Sequence, residues 1–188
     1  MIIAYLGRSV KEYRENFLRY LANLDLRCPV CGGKAVFHDS YDRHVHIVET
    51  VEWIIIQRVI CNKCSKTHAI IPDFIKPRKH YSAFDIEISL RDMEDGIAPE
   101  KVETEASIST LKRWRKEFKK KSYQAVGALR GLLYRLFEKT VNEFKLAGLK
   151  IFEMLEKILE EFPEIESGNL VIGDTNIWLS NNIVGMLV

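Results

Sequence analysis

The four cysteines of the chain are the feature that most constrains its fold. They form two Cys-x-x-Cys pairs, Cys28 with Cys31 and Cys61 with Cys64. Two thiolates separated by two residues reach one metal ion from a single turn, and two such turns supply the closed tetrahedral S4 set that structural zinc prefers. The sequence therefore predicts one structural Zn²⁺ bound by Cys28, Cys31, Cys61 and Cys64.

The segment that contains these pairs has a strand-like pattern. Val, Ile, Trp and Tyr are frequent over residues 26–75, and Gly32-Gly33 follows the first pair at a turn. We interpret residues 26–75 as a zinc ribbon, a small antiparallel β unit. The alternatives are two redox motifs or buried free cysteines, but one pair suffices for redox chemistry. Four sulfur ligands leave no open position for a catalytic metal.

Two groups of histidines have open interpretations. His44 and His46 alternate along a predicted strand and share one face, which is either a second weak metal site or, as we favour, a solvated surface. His68 follows Cys64 by four residues. It either hydrogen-bonds a metal-bound sulfur or serves as a turn residue, and the sequence does not choose between them.

A strongly basic segment lies further along the chain. Between Thr110 and Lys121 there are seven basic residues and one acid, Glu117. On a helix at ~100° per residue, Leu111, Trp114 and Phe118 form a buried stripe. The opposite face is polar and cationic, which is typical of a recognition helix whose first turns reach base edges while later cations contact phosphates. The predicted DNA-binding residues are Ser109, Thr110, Lys112, Arg113, Lys116, Lys119 and Lys120.

The surrounding pattern predicts a helix-turn-helix over residues 80–121. Ser82 is placed to begin a helix in which Phe84, Ile88 and Met93 face inward; Asp95-Gly96 ends it, and Pro99 suits the first turn of the next. A third helix begins near Ser107. A solvated face on a bundle helix would also explain the charge run alone, but the preceding helical segments favour DNA binding.

The remaining segments fill in the architecture. Residues 1–25 suggest a short strand and an amphipathic helix, and the stretch from Pro72 to His80, rich in proline and basic residues, resembles a linker. Residues 122–163 predict C-terminal helices broken near Gly148, packed against the helix-turn-helix. Residues 164–188 look strand-like. The expected fold class is α+β, with an N-terminal zinc ribbon, then a helix-turn-helix, then C-terminal α-helices.

Composition excludes several classes of protein. The chain has 188 residues, 47% hydrophobic and 29% charged, with a net charge of +2, which is typical of a folded chain rather than a disordered one. Neither a signal peptide nor a stretch of ~20 apolar residues is present, so we expect no membrane association. A cytoplasmic, nucleoid-associated location is the resulting expectation.

Several of these residues resemble a known family. Ser107, Ser109-Thr110-Leu111 and Arg113-Trp114 are similar to the recognition helix of insertion-sequence transposases. The segments 58–64, 67–68, 71–74 and 81–82 resemble small transposase-like proteins that couple a zinc ribbon to a helix-turn-helix. The resemblance covers residues 26 to 121 and implies sequence-specific binding of element ends or related DNA. Glu105 and Ala106 depart from it, because the family usually has a glycine and an aliphatic residue there.

The sequence does not predict an enzyme. Residues 170–179 resemble the strand that carries the first metal-binding aspartate of a ribonuclease-H-like core, which would be Asp174, but too few residues follow for the rest of that core. The predicted partner is double-stranded DNA, with a second copy of the chain or a transposase as further partners and no small-molecule substrate. A transcriptional regulator, a truncated or split transposase and a zinc-dependent protein-interaction module remain alternatives.

Overall fold

The computed structural model describes residues 1–7, 9–163 and 170–181. The described chain confirms a mixed α+β fold, with four strands, six α-helices and one 3-10 helix. The strands are β1 Ile2–Ala4, β2 Ala35–Ile47, β3 Thr50–Cys61 and β4 Thr67–Pro72. The helices are α1 Val10–Ala22, α2 Ala83–Glu94, α3 Ile108–Phe137, α4 Glu143–Leu146, α5 Ile151–Leu159 and α6 Val171–Asn181, and the 3-10 helix spans Pro99–Lys101.

The four strands form one sheet in the order β1-β4-β3-β2. β2 and β3 make a long antiparallel hairpin, β3 pairs antiparallel with β4, and β4 pairs parallel with β1. Alternating valines and isoleucines of the hairpin are buried on one side of it. β4 pairs only with the last residues of β3, and α1 lies beside the unpaired part of β3, where Tyr13 Oη donates to the carbonyl of Ile55. The predicted 26–75 unit therefore shares its sheet with a strand from the first residues of the chain.

The interpretation of residues 72–80 as a linker is wrong. Phe74 and Ile75 are buried in the core of the sheet, and Lys76 is buried completely. Arg43 donates hydrogen bonds to the carbonyls of Lys76 and Lys79, which ties this segment to β2. Its proline and basic residues suggested exposure, but the two apolar side chains between them fix it against the sheet.

The helices form a second core. α2, α3, α5 and α6 bury a continuous apolar cluster in which Phe118 and Phe152 stack at 4.8 Å between ring centroids. The C-terminal helices thus pack intramolecularly against α3, as expected. Met93 is buried, as predicted, but the rest of the inward side of α2 differs from the prediction. Ile86 and Leu90 are buried, whereas Phe84 and Ile88 are exposed.

Two further boundaries differ from the prediction. α3 runs without interruption from Ile108 to Phe137, across the expected boundary between residues 121 and 122. Residues 171–181, expected to be strand-like, form the helix α6, and Asp174 lies in its first turn rather than on a strand. The β-branched residues of α6 have modest helix propensity, but burial on most of its sides against both cores overrides it. The other predicted tail residues, 164–169 and 182–188, lie outside the described residues.

The structure also bears on membrane association. In the part of the chain that is described, no helix combines the length and the apolarity that a bilayer span requires.

Candidate metal centre and basic surface

The two cysteine pairs lie on turns of the same construction. In the first, the Gly32 amide donates to the carbonyl of Cys28, and Gly32 has a φ of 68°. In the second, the Ser65 amide donates to the carbonyl of Cys61, and Ser65 has a φ of 57°. Each turn thus folds its pair of thiols to one side and reverses the chain through a left-handed residue. The hairpin of β2 and β3 brings the two turns together.

The four sulfur atoms form a compact cluster. All ligand atoms lie within 4.8 Å of one another, with Sγ–Sγ distances of 3.6 Å from Cys28 to Cys64 and 3.5 Å from Cys31 to Cys61. A disulfide requires about 2.05 Å. Tetrahedral zinc at a Zn–S distance of about 2.3 Å places its sulfurs about 3.8 Å apart. The distances therefore fit four thiolates around one metal ion, and the cluster can hold one.

Backbone amides support the thiolate form of two of these sulfurs, those of Cys28 and Cys61. The amide of Val30 donates to Cys28 Sγ at 3.4 Å, and that of Lys63 to Cys61 Sγ at 3.3 Å. Burial raises the pKa of the Cys28 thiol, but hydrogen bonds from backbone amides outweigh burial and bring it to about 7. At Cys61 burial also raises the pKa, but hydrogen bonds to the sulfur outweigh it and lower the pKa to about 6. Both shifts favour the deprotonated form that metals bind. At Cys31 the hydrogen bond from the Gly33 amide lowers the pKa, but burial and the neighbouring thiols outweigh it and raise the pKa to about 12.

Gly33 permits the two turns to approach each other. A Cβ atom at this position would lie 2.8 Å from Lys63 Cβ and 3.2 Å from Cys61 Sγ. Such distances are closer than packed side chains allow, so glycine is required at this contact. Exposed lysines surround the centre at positions 34, 63 and 66. Their charge offsets the net negative charge of a divalent metal held by four thiolates.

His68 lies beside the cluster, which settles one of the open interpretations. It is buried on β4, and its Nε2 is 3.2 Å from Cys28 Sγ. The ring thus contacts a thiol of the cluster instead of occupying a turn. His44 and His46 lie on β2, and among the described residues only the four cysteines assemble the three or more close ligand atoms of a metal site.

The buried stripe of the basic helix is confirmed. Leu111, Trp114 and Phe118 are all buried, and the indole of Trp114 is 0% exposed. Its ring makes an edge contact with Tyr81 at 5.0 Å. Ser107 caps the helix, its hydroxyl accepting a hydrogen bond from the amide of Thr110, so the helix begins where the sequence indicated.

The predicted DNA-binding side chains of α3 share one outer surface. All of them are exposed except Thr110, which is half-buried: Ser109, Lys112, Arg113, Lys116, Lys119 and Lys120. Lys112 forms a solvent-exposed ion pair with Glu100 at 3.0 Å. Within residues 1–7, 9–163 and 170–181, none of the other four cations forms a salt bridge. The outward side of the first half of α3 is therefore cationic and open.

An ionic contact fixes the inner edge of α3 to the sheet side of the molecule. Glu117 pairs with Lys79 at 2.6 Å and with Lys121 at 3.0 Å, and Lys76 lies nearby. Burial raises the pKa of the Glu117 carboxyl, but its hydrogen bonds to Lys79 and Lys121 outweigh burial and lower the pKa. Burial also holds the pKa of Lys76 well below its usual value, against the attraction of Glu117. Charge pairing thus ties this edge of α3 to Lys79, while the exposed cations lie on other sides of the helix.

Two helical segments precede α3, as predicted, but the second is much shorter than a full helix. Ser82 caps α2, and Asp95-Gly96 ends it, with Gly96 at a φ of 94°. The expected second helix is only the three-residue 3-10 turn Pro99–Lys101, with Pro99 at its first position. Residues 102–106 then lead into α3. The shortening agrees with the altered turn that Glu105 and Ala106 introduce.

Comparison with known proteins covers the same region. Residues 28–114 match the family described as "Domain of unknown function (DUF6431)", a span that begins at the first cysteine and ends at Trp114. Neither the curated proteins nor the solved structures contain a match to the chain. The matched span therefore includes the whole cysteine cluster, α2 and the first two turns of α3.

Sequence reasoning missed several residues of the two sites. The packing role of Gly33 was not foreseen, because the distance between the two turns is a tertiary feature. Lys79 and Glu117 are 38 residues apart, and nothing local indicates their contact. The left-handed backbone of Ser65 could have been predicted by comparison with Gly32, since each residue directly follows the second cysteine of a pair.

Proposed function

We propose that this chain binds double-stranded DNA in a sequence-specific manner, with the first half of α3 in the major groove. The observation that carries the proposal is the division of α3 into two sides. Trp114 and its apolar neighbours are buried, while Arg113, Lys116, Lys119 and Lys120 are exposed and make no salt bridge within the described residues. Unpaired cations on a rigid, anchored helix are suited to neutralise phosphates.

The proposed contacts divide by position along α3. Ser109 and Arg113 lie on the outermost line of the first turns, where a recognition helix meets base edges, and Arg113 has the guanidinium fork that matches guanine. Lys116, Lys119 and Lys120 follow one or two turns later and are assigned to phosphates. In this proposal α2, the 3-10 turn and α3 act as a shortened helix-turn-helix, and the chain is related to transposases, in line with the resemblance of its recognition helix.

We propose that the cysteine cluster holds structural zinc in a zinc ribbon. A closed site is supported by the spacing of the sulfurs and by the amide hydrogen bonds to Cys28 and Cys61. Four cysteine ligands also leave no position at which a substrate could bind the metal. Zinc would join two turns that are far apart in sequence and so fix the end of the β2–β3 hairpin.

Substitution of one ligand tests the metal proposal. Cys61→Ser is expected to lower zinc content from one equivalent per chain to a small fraction, and to lower the thermal midpoint, because three ligands bind far more weakly than four. Elemental analysis of purified protein and a thermal melt measure both effects. Ser65→Ala, at an exposed residue beside the same turn, is the control and should retain zinc. Full zinc content in Cys61→Ser would refute the site.

Selection of bound sequences from a random duplex pool tests the DNA proposal. Zinc-loaded protein is expected to enrich a short motif with guanine at the position read by Arg113. Arg113→Ala should weaken binding by about tenfold or more and relax the preference at that base pair alone. Lys120→Ala, a phosphate contact in this account, should weaken binding to all sequences alike. Failure of the native chain to enrich any sequence would contradict specific DNA binding.

A further inference from the structure

The outer side of the β2–β3 hairpin carries an exposed aromatic and apolar surface. The register of the hairpin pairs His44 with Trp53 and His46 with Val51, so these side chains share one side. The opposite side buries Val45, Ile54 and Ile56 in the sheet core. We call this outward set the hairpin surface; its members are Val51, Trp53 and Ile55, which are exposed, and His44 and His46, which are half-buried.

Trp53 is the most exposed member of this surface. Its side chain is 59% exposed, although Trp53 lies within a regular strand. Arg14 donates to the carbonyl of Trp53, so α1 holds the main chain in place while the indole faces solvent. Val51 and Ile55, two positions away on each side, are also exposed. An exposed apolar row on a rigid strand indicates a binding surface rather than incomplete packing.

A continuous row of rings connects this surface to the basic helix. Trp53 contacts His44 at 5.3 Å, and His44 contacts His46 at 6.0 Å. His46 stacks on Tyr81 at 5.0 Å, and Tyr81 contacts Trp114, directly beneath the cationic side of α3. The row therefore connects the hairpin surface to the inner side of α3, through Tyr81, which is half-buried, and Trp114, which is buried.

The chemistry of the row suits nucleic acid bases. His80 stacks flat on His44, with 4.2 Å between centroids and an angle of 7°. Arg78, exposed two residues before His80, adds a permanent cation beside the stack. Flat aromatic groups on a sheet, with cations at the margin, are the arrangement by which proteins bind unpaired bases. Paired bases inside a duplex do not present their faces to such a surface.

We propose that the hairpin surface binds unpaired bases of DNA that extend beyond, or open beside, the duplex held by α3. Trp53 stacks on one base, and the His44–His80 pair forms the edge of the same site. This inference rests on the proposed function, because the duplex on α3 is what delivers the unpaired strand to the hairpin. The ligand is thus a junction between duplex and single-stranded DNA.

Binding of matched DNA molecules to the whole zinc-loaded chain tests the proposal. The probes are a blunt duplex carrying the selected motif, and the same duplex with a single-stranded extension of about six nucleotides at one end or the other. Fluorescence anisotropy at constant salt is expected to give at least about fivefold tighter binding for one extended probe. Trp53→Ala should remove that gain and leave the affinity for blunt duplex unchanged. Phe37→Ala, at an aromatic residue 53% exposed further along β2, should keep both.

Tryptophan emission supplies a second readout that does not depend on affinity. The chain has three tryptophans, and Trp53 is the exposed one, whereas Trp114 is buried and Trp178 is half-buried. Stacking of a base on Trp53 should quench emission with the extended probe, and Trp53→Phe should abolish the quenching. Equal binding of blunt and extended probes, or unchanged quenching in Trp53→Phe, would overturn the proposal and leave the surface to a protein partner.

The same experiment separates this inference from the proposed function. Lys112→Ala combined with Lys116→Ala should weaken binding of every probe. If that variant loses affinity while Trp53→Ala behaves as the native chain, DNA binding by α3 stands and the hairpin inference fails. If the double variant keeps full affinity for the blunt duplex, the proposed function fails.

Discussion

Glu117 shows how one acidic side chain can help to anchor the inner edge of a basic helix. It is the single acid in the basic run of α3, and it faces Lys79 and Lys121. The Nζ of Lys79 is largely shielded, with its side chain 16% exposed, so this pair is worth more than a surface ion pair. The helical period places the other exposed cations of the run on other sides of α3. The acid is therefore part of the arrangement that leaves the basic surface free.

Glu117→Gln tests this role through stability and its pH dependence. At pH 7 the variant should lose about 1–3 kcal/mol of unfolding free energy, because Lys79 and Lys121 lose their counter-charge while partly buried. The carboxyl pKa in the native chain is lowered below the unfolded value of about 4.3. Its contribution is therefore complete above that pH and is lost as pH falls through the lower native pKa. Urea unfolding at pH 7 and at about pH 3 should show the difference shrinking.

The exposed pair of Glu100 and Lys112 provides the control for that experiment. Glu100→Gln removes an ion pair of similar length, 3.0 Å, whose side chains are both at least half exposed. Solvent screening should make the change in unfolding free energy too small to resolve. An effect of Glu117→Gln equally small at pH 7, or one that stays constant with pH, would show that the acid does not anchor α3.

At the scale of single residues, the sequence predicted what local spacing encodes. The cysteine pairs, the helix caps Ser82 and Ser107, and the buried stripe through Trp114 all depend on short, regular intervals. The inward side of α2 was assigned to Phe84 and Ile88, but Ile86 and Leu90 are buried. The segment is apolar on two sides, so its pattern alone does not fix which side meets the core.

At the scale of elements, tertiary contacts determine the secondary structure of segments whose sequence pattern is ambiguous. Residues 171–181 are rich in β-branched side chains and look strand-like, yet they form α6. Ile177 of α6 packs in the sheet core, while Ile172 and Leu179 pack in the helical core. A helix buried on most sides has no polar stripe, so its periodicity is weak in the sequence. The buried segment 72–77 was missed for a related reason, because prolines disrupt any regular pattern.

The continuity of α3 predicts how the chain responds to truncation. A fragment of residues 1–121 keeps every residue expected to form the helix-turn-helix. It lacks the second half of α3, α5 and α6, which supply much of the helical core, including Phe152, the ring that stacks on Phe118. We expect this fragment to show no cooperative thermal transition in its helical circular dichroism signal, since α2 alone is left to cover the apolar stripe and the rest of the helical core is lost.

The full chain is the reference for the truncation experiment. It should melt in a sigmoidal transition under the same conditions. A fragment that melts cooperatively with a native-like helical signal would show that the part proposed to bind DNA folds as a separate domain, contrary to the single helical core described above.

At the scale of the whole molecule, the charges are separated although the net charge is only +2. The basic residues concentrate on the first half of α3. The C-terminal segment is acidic, with glutamates at positions 153, 156, 160 and 161 on or beside α5. Under the proposed function, this asymmetry would attract duplex DNA to one side of the molecule, repel it from another and so orient it on α3. A sequence-level net charge does not reveal this asymmetry, because it depends on how α3 and α5 pack.

The salt dependence of duplex binding tests the central claim most directly. Contact with about five to seven phosphates predicts a log–log slope of the association constant against salt of roughly −4 to −6. Lys112→Ala combined with Lys116→Ala should flatten that slope by up to about two units and weaken binding at every salt concentration. An affinity that does not vary with salt, or a slope that the double substitution leaves unchanged, would contradict DNA binding through the outer side of α3.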